Sequence, residues 1–215
     1  MQRIVKHNVS EHALQRSILI LDSFKEIMKE RNHVLVFNRI RDNLPRVLGF
    51  HKAAVFFVDP NDRDTIYTIT NQAVDPNGYP FVKETAKYPR HLGVTGRVTH
   101  TREVQLITQK NITEIGFYSE IDNILSVRDI NNMLIGPLID SSGEVTGVVQ
   151  VVNKDKGYVT EADKREFFSL LCILGSTVQN ADELHELLNL SMGMSASVNK
   201  ILSIYEEGFD SIHES

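Results

Sequence analysis

Met133-Leu134-Ile135-Gly136-Pro137-Leu138-Ile139, then Asp140-Ser141-Ser142-Gly143, then Val145 to Val152 is the stretch whose reading decides the architecture. Two runs rich in aliphatic and β-branched residues flank a turn of Asp, Ser and Gly, the composition that closes an antiparallel hairpin. Both strands read as central in a sheet. Working upstream, Ala53-Ala54-Val55-Phe56-Phe57-Val58 is a second buried strand closed by Asp59-Pro60-Asn61-Asp62, and Thr65 to Thr70 is its hairpin partner. A weaker strand is expected near Phe81 to Ala86. Gly93-Val94-Thr95-Gly96 reads as a loop that enters a short helix at Arg97 to His100, followed by a strand at Val104 to Thr108. Residues 109–131 are polar and irregular, and so long a connection in a compact domain usually has a function.

Helical spacing brackets these strands. Leu14, Ile18, Leu21, Phe24, Ile27 and Met28 follow an Asn or Ser cap and predict a helix to about Arg31. Leu35, Phe37, Ile40, Leu44 and Val47 predict a second helix ending at Gly49, with Pro45 expected to kink or shorten it. Downstream, Thr160 and Asp163 form a capping-box-like start. A 4,3 spacing then runs from Leu170, Leu174 and Thr177 through Leu184 and Leu202 to Ile212, weakest between Ser191 and Ser197. That pattern reads either as one long helix of coiled-coil character or as two helices packed on the domain. The order of elements gives an α+β fold with a mainly antiparallel central sheet flanked by N- and C-terminal helices. Three segments are expected: an N-terminal helix over 1–32, the domain over 33–188, and a C-terminal helical extension over 189–215. The heptads predict a homodimer or a helical protein partner.

The chain has 215 residues, a net charge of −5 and an apolar content of 41%, with a pI near 5.9. No stripe of Lys or Arg tracks phosphates, so nucleic acid is not an expected partner. No stretch is long and apolar enough to span a bilayer, which predicts a soluble, cytoplasmic protein without membrane contact. The single Cys172 permits no internal disulfide and reads as a core residue of the last helix. The eight histidines lack the paired spacing of metal-dependent hydrolases, so neither a catalytic group nor a metal site is expected.

Five pieces then occur in a recognisable order: Val55 to Asp59, Gly93-Val94-Thr95-Gly96-Arg97-Val98, Phe117 to Asp122, Met133 to Leu138, and Gly147 to Lys154. Together they resemble the GAF domain of cyclic-nucleotide phosphodiesterases across residues 33–188. The resemblance implies a GAF fold, a regulatory role without catalysis, and a small ligand such as cGMP or cAMP held between the sheet and residues 109–131. By motif position the ligand contacts are Ala54, Val94, Thr95, Tyr118, Asp122 and Gln150. Tyr118 would stack on or wall a purine, Asp122 would meet the base edge, and the N–H groups of Val94, Thr95 and Gly96 would hold a phosphate. Tyr118 is read equally as a core plug, and Gly93 and Gly96 as residues that only permit a turn.

The departures support a second reading. Ala54 stands where a hydroxyl is common, Gln150 replaces a strand carboxylate, and Asp129 and Ile130 offer no counterpart to a threonine. The signature opening with Asn153-Lys154 continues with Val159 and Asp163-Lys164 in place of Phe and Asp-Glu. This pattern fits a structural GAF domain with a degenerate pocket that docks in a larger assembly. Asn153, Lys154 and Asp163 are then expected to clasp the last strand to the final helix.

Overall fold

The computed structural model describes residues 32–180. Helix α1 (His33–Leu48) starts where Asn32 accepts hydrogen bonds from the N–H groups of Val34 and Leu35 at 2.9 and 3.1 Å. It runs through Pro45 and stops at Gly49, whose left-handed φ of 72° lets its N–H return to the Pro45 carbonyl. The expected early end at Pro45 does not occur, because the helix has already reached its last turn there.

Six strands follow in one sheet: β1 (Phe50–Val58), β2 (Thr65–Val74), β3 (Pro80–Pro89), β4 (Gln105–Thr108), β5 (Asn132–Ile139) and β6 (Val145–Lys154). Between them lie helix α2 (Gly93–Thr101) and the single turn α3 (Ser119–Asp122). A last helix, α4, occupies residues 161–180. The strand order is β3-β2-β1-β6-β5-β4, every described pairing is antiparallel, and the deciding hairpin forms as β5–β6 near the centre. Strand β3 is longer than expected. It spans ten residues because it pairs along the whole of β2.

Alternation along the central strands splits the core in two. Val55, Phe57, Val149 and Val151 face α1 and α4, where they meet Ile40, Leu44, Phe167 and Leu171. Their neighbours Phe56, Val148 and Val152 face the other way, toward Val94 and Val98 of α2 and Ile121 of α3. Strands covered on both faces read as continuous apolar runs. The edge strand β3 is mostly exposed, carries Lys83, Glu84 and Lys87, and has Pro80 and Pro89 at its two ends.

The first three heptad positions have a different role from the one expected. Leu170 and Leu174 are buried in the domain's own core, and Thr177 is also buried, so this part of the face packs on the sheet and not on another chain. The remaining heptad positions, the weak centre near Gly193, the N-terminal helix before Asn32 and the boundary at 188 lie outside the described residues.

Helix α4 meets β5 at Gly175, where an added Cβ would fall 2.5 Å from the carbonyl carbon of Ile139 and 2.6 Å from its nitrogen. Gly175→Ala should therefore lose about 1–3 kcal/mol, despite the better helix propensity of alanine. Urea unfolding checks this, and a variant as stable as the parent would contradict the packing.

Candidate functional site

Helix α2 begins with a deficit. The first N–H groups of any helix have no acceptor within it, and the residue in the cap position here is Leu92, whose side chain has none to offer. Asp122 supplies the cap from far along the chain. Its Oδ2 accepts from the Val94 N–H at 2.9 Å, and its Oδ1 accepts from the Thr95 N–H at 2.8 Å and the Thr95 hydroxyl at 2.5 Å. The Tyr118 N–H donates to Oδ2 as well, at 2.8 Å. Four donors converge on one carboxylate at the positive end of a helix dipole. Gly93 is required for this seat, since its φ is +66° and a Cβ would lie 2.5 Å from Asp122 Oδ2.

Gln150 completes the network from the sheet. Its Nε2 donates to Thr95 Oγ1 at 2.6 Å and to the Ile121 carbonyl at 3.1 Å. The opposite amide orientation would set its oxygen against the Ile121 carbonyl, so this one is fixed by its neighbours. A glutamate here would offer no donor to either partner and would face Asp122 through Thr95. The amide thus fits the position that the resemblance fills with a carboxylate. Gln150 Oε1 is buried and has no hydrogen-bond partner among the described residues. Ala54 lies opposite Gln150 on β1 and, being small, crowds nothing there.

The structure therefore brings together Ala54, Val94, Thr95, Asp122 and Gln150. All but Ala54 are 0% exposed, so none of the other four lines a void wide enough for water. Two expectations change. The N–H groups of Val94 and Thr95 hold the Asp122 carboxylate where a phosphate was expected, while the Gly96 N–H bonds within the helix to Leu92. Asp122 is accordingly committed to α2 and Tyr118, not presented as a base-edge contact. Tyr118 joins the network only through its backbone; its ring neither plugs the core nor walls a closed pocket, being 40% exposed. The Gly93 to Gly96 segment is the first turn of α2, not a loop before it. Gly96 is needed because a Cβ would come within 2.5 Å of the Arg90 carbonyl oxygen.

Residues 109–131 form a braced lid. Asn111 closes its entry by accepting from the Thr108 N–H and donating to the Leu106 carbonyl. Asn123 bonds both backbone groups of Val127. The Arg97 guanidinium donates to the Ile115 carbonyl and ties the lid to α2. Asn153, with a φ of 56°, accepts from the Asn131 N–H and donates to the Asp129 carbonyl. Asn153 thus pins the lid's exit instead of joining the clasp to the last helix. Where the lid meets α2, an open cleft of about 520 Å³ is lined by His91, Gly93, Arg97 and His100 and by the lid residues Glu114 and Gly116.

The clasp itself is made by Lys154 and Asp163, whose charged atoms stand 2.5 Å apart with side chains 17% and 12% exposed. Thr160 and Asp163 bond each other reciprocally as a capping box. Burial pushes the Asp163 carboxyl up, but hydrogen bonds from Lys154 and Thr160 outweigh it and hold the group below the usual carboxylate value. Cys172 is half-buried and belongs to neither core cluster, and burial pushes its thiol up. No group of residues suited to a metal occurs among the described residues. No helix among them is long and apolar enough to cross a membrane.

The capping role of Asp122 was hidden because local cap rules look three residues ahead, not 27 or 28. An apolar residue in the cap position of α2 was the available signal, since such a helix must borrow its cap. Arg97 and Asn153 stood within the quoted motifs, but nothing in the spacing marked either as a brace of the lid.

Comparison with known proteins bears on the fold and the family. The family model for the GAF domain matches residues 33–177. Dual 3',5'-cyclic-AMP and -GMP phosphodiesterase 11 of Drosophila melanogaster is 27% identical over 189 residues, a region that covers 84% of this chain and 13% of that protein. The GAF domain of a Coxiella burnetii phosphoenolpyruvate-protein phosphotransferase superposes with a TM-score of 0.62 at 14% identity, covering 81% of this chain and 98% of the other. Free methionine-R-sulfoxide reductase from Neisseria meningitidis, solved with its substrate, has a TM-score of 0.58 at 13% identity, covering 80% and 93%. At such identities the structural likeness speaks for the fold alone.

Two outcomes follow from the geometry. Gln150→Glu should destabilise the chain by about 1–3 kcal/mol by removing two buried hydrogen bonds and crowding Asp122, with partial recovery in Gln150→Glu/Asp122→Asn; equal losses in the single and double variants would refute the coupling. Lys154→Ala should cost about 1–2 kcal/mol near neutral pH. Because the folded Asp163 carboxyl is lowered, its contribution is complete above the unfolded value near about 3.9 and fades as the pH falls through the folded one. Stability curves of parent and variant measured against pH should therefore converge in acid.

Proposed function

Because this chain belongs to the GAF-domain family, we propose that it is a non-catalytic regulatory module that senses a small molecule beneath residues 109–131. The observation that carries this reading is the buried polar network of Asp122, Thr95 and Gln150. A domain with only a structural task can fill the space between sheet and lid with apolar side chains, and buried polar groups are stabilising only when every member is satisfied. Here one acceptor, Gln150 Oε1, is left unpaired. The network also connects α2, the lid and β6, the three elements through which a change at the lid would reach the sheet. A cyclic nucleotide, cGMP or cAMP, is the ligand favoured by the likeness to a phosphodiesterase named for both. Association into a homodimer, or with a helical partner, through the C-terminal heptads is part of the same proposal.

A second reading is a structural GAF domain that docks in a larger protein assembly. It is favoured by the internal closure of the network, in which the Asp122 carboxylate already takes up the N–H groups of Val94 and Thr95.

Titration calorimetry with cGMP and cAMP, alongside melting curves, separates the two. The sensory reading expects measurable heat and a raised melting temperature at millimolar nucleotide, both lost in Gln150→Leu. Absence of heat and of any thermal shift with the unmutated chain would favour the scaffold.

A further inference from the structure

We propose that one side of the β2–β3 hairpin, at Val74, Pro80 and Val82, is the docking site of this chain's own residues 24–28. The inference is independent of any ligand beneath the lid.

The hairpin gathers exposed apolar surface. Half of the large apolar side chains left exposed among the described residues lie between Val74 and Val82: Val74 at 65%, Tyr79 at 64%, Phe81 at 47% and Val82 at 36%. Strand pairing sorts them by side. Gln72 exchanges hydrogen bonds with Asn38 of α1 at 2.8 and 3.0 Å, so its side of the hairpin is the one on which α1 lies. Alternation along β2 puts Val74 on that side with Gln72, and Val82 and Pro80 stand directly across from those two residues on β3. Phe81 stands across from Ala73 and belongs to the reverse side. The helical layer thus ends at α1 and leaves Val74 and Val82 uncovered at the margin of the sheet.

The path of the chain identifies the cover. Asn32 has extended backbone, with φ −92° and ψ 120°, so the residues before it do not continue the axis of α1. Its side-chain amide donates to the Pro80 carbonyl at 3.3 Å, which seats that change of direction on the hairpin itself. Residues 1–31, which lie outside the described residues, therefore join the domain beside the uncovered valines. Reading back from Asn32, the first apolar residues are Met28, Ile27 and Phe24, the end of the stripe whose spacing predicts a helix. Even a fully stretched chain keeps Met28 within about 14 Å of Asn32. A short apolar run tethered this close meets the patch at high effective concentration. With the run in place, a force on the N-terminal segment is felt at Asn32, the cap of α1.

The sequence contains no tryptophan, so one introduced on the hairpin reports alone. In the full chain, Val74→Trp should emit to the blue of free tryptophan and be quenched by acrylamide at least about twofold less than Phe81→Trp on the reverse side. Adding Phe24→Asp and Ile27→Asp to Val74→Trp should abolish both the shift and the protection. Emission from Val74→Trp that is as quenchable as that from Phe81→Trp, or that the two aspartates leave unmoved, overturns the inference. Protection that is lost on dilution overturns it too, because the occupant is then a second copy. Deuterium uptake supplies a readout without tryptophan. Val74→Asp, a change at an exposed position, should raise uptake about twofold or more in peptides from residues 21–31. Uptake equal to the parent's overturns the docking even if the tryptophan variants fail to fold.

Discussion

A carboxylate seated on the first turn of a helix that begins 29 residues earlier in the chain, near Gly93, ties that helix to the lid and, through Thr95, to the sheet. A local cap contributes about 0.5–2 kcal/mol by satisfying one or two N–H groups. Asp122 does more than that, because its four donors come from α2 and the lid and its partner Thr95 is in turn held by β6. Remove it and several buried donors lose their acceptor together, each at a cost of about 1–3 kcal/mol. The glycine at 93 and the amide at 150 both follow from that one placement.

The end of β6 carries a related division of labour. Asn153 and Lys154 are neighbours, yet one reaches the exit of the lid and the other reaches the start of α4. Consecutive strand residues point to opposite faces, so two adjacent side chains are enough to fasten both layers of the domain to the sheet. The positive φ of Asn153 turns the strand at the point where the two attachments part.

Most of the architecture could be read from short-range patterns. The β5–β6 hairpin announces itself through two aliphatic runs and an Asp-Ser-Ser-Gly turn, α1 through Asn32 and Gly49, and α4 through the Thr160–Asp163 box. These signals are local, and so are the forces behind them. The site was legible only as a set of residues: Val94, Thr95, Asp122 and Gln150 do meet, but which group takes which partner depends on tertiary approach, and sequence spacing carries no record of that. The heptads beginning at Leu170 show the complementary limit. A stripe at 4,3 spacing is the same pattern whether it faces another chain or its own sheet, and for Leu170 and Leu174 it is the sheet.

The two margins of the sheet have a bearing on how copies of this domain can behave when crowded. One margin is β4, only four residues long, and the other is β3, bracketed by prolines and studded with lysines and a glutamate. A proline offers no N–H to a newcomer strand, and a charged rim repels its own duplicate. Neither margin therefore offers the long, flat, uncharged template on which cross-strand growth starts.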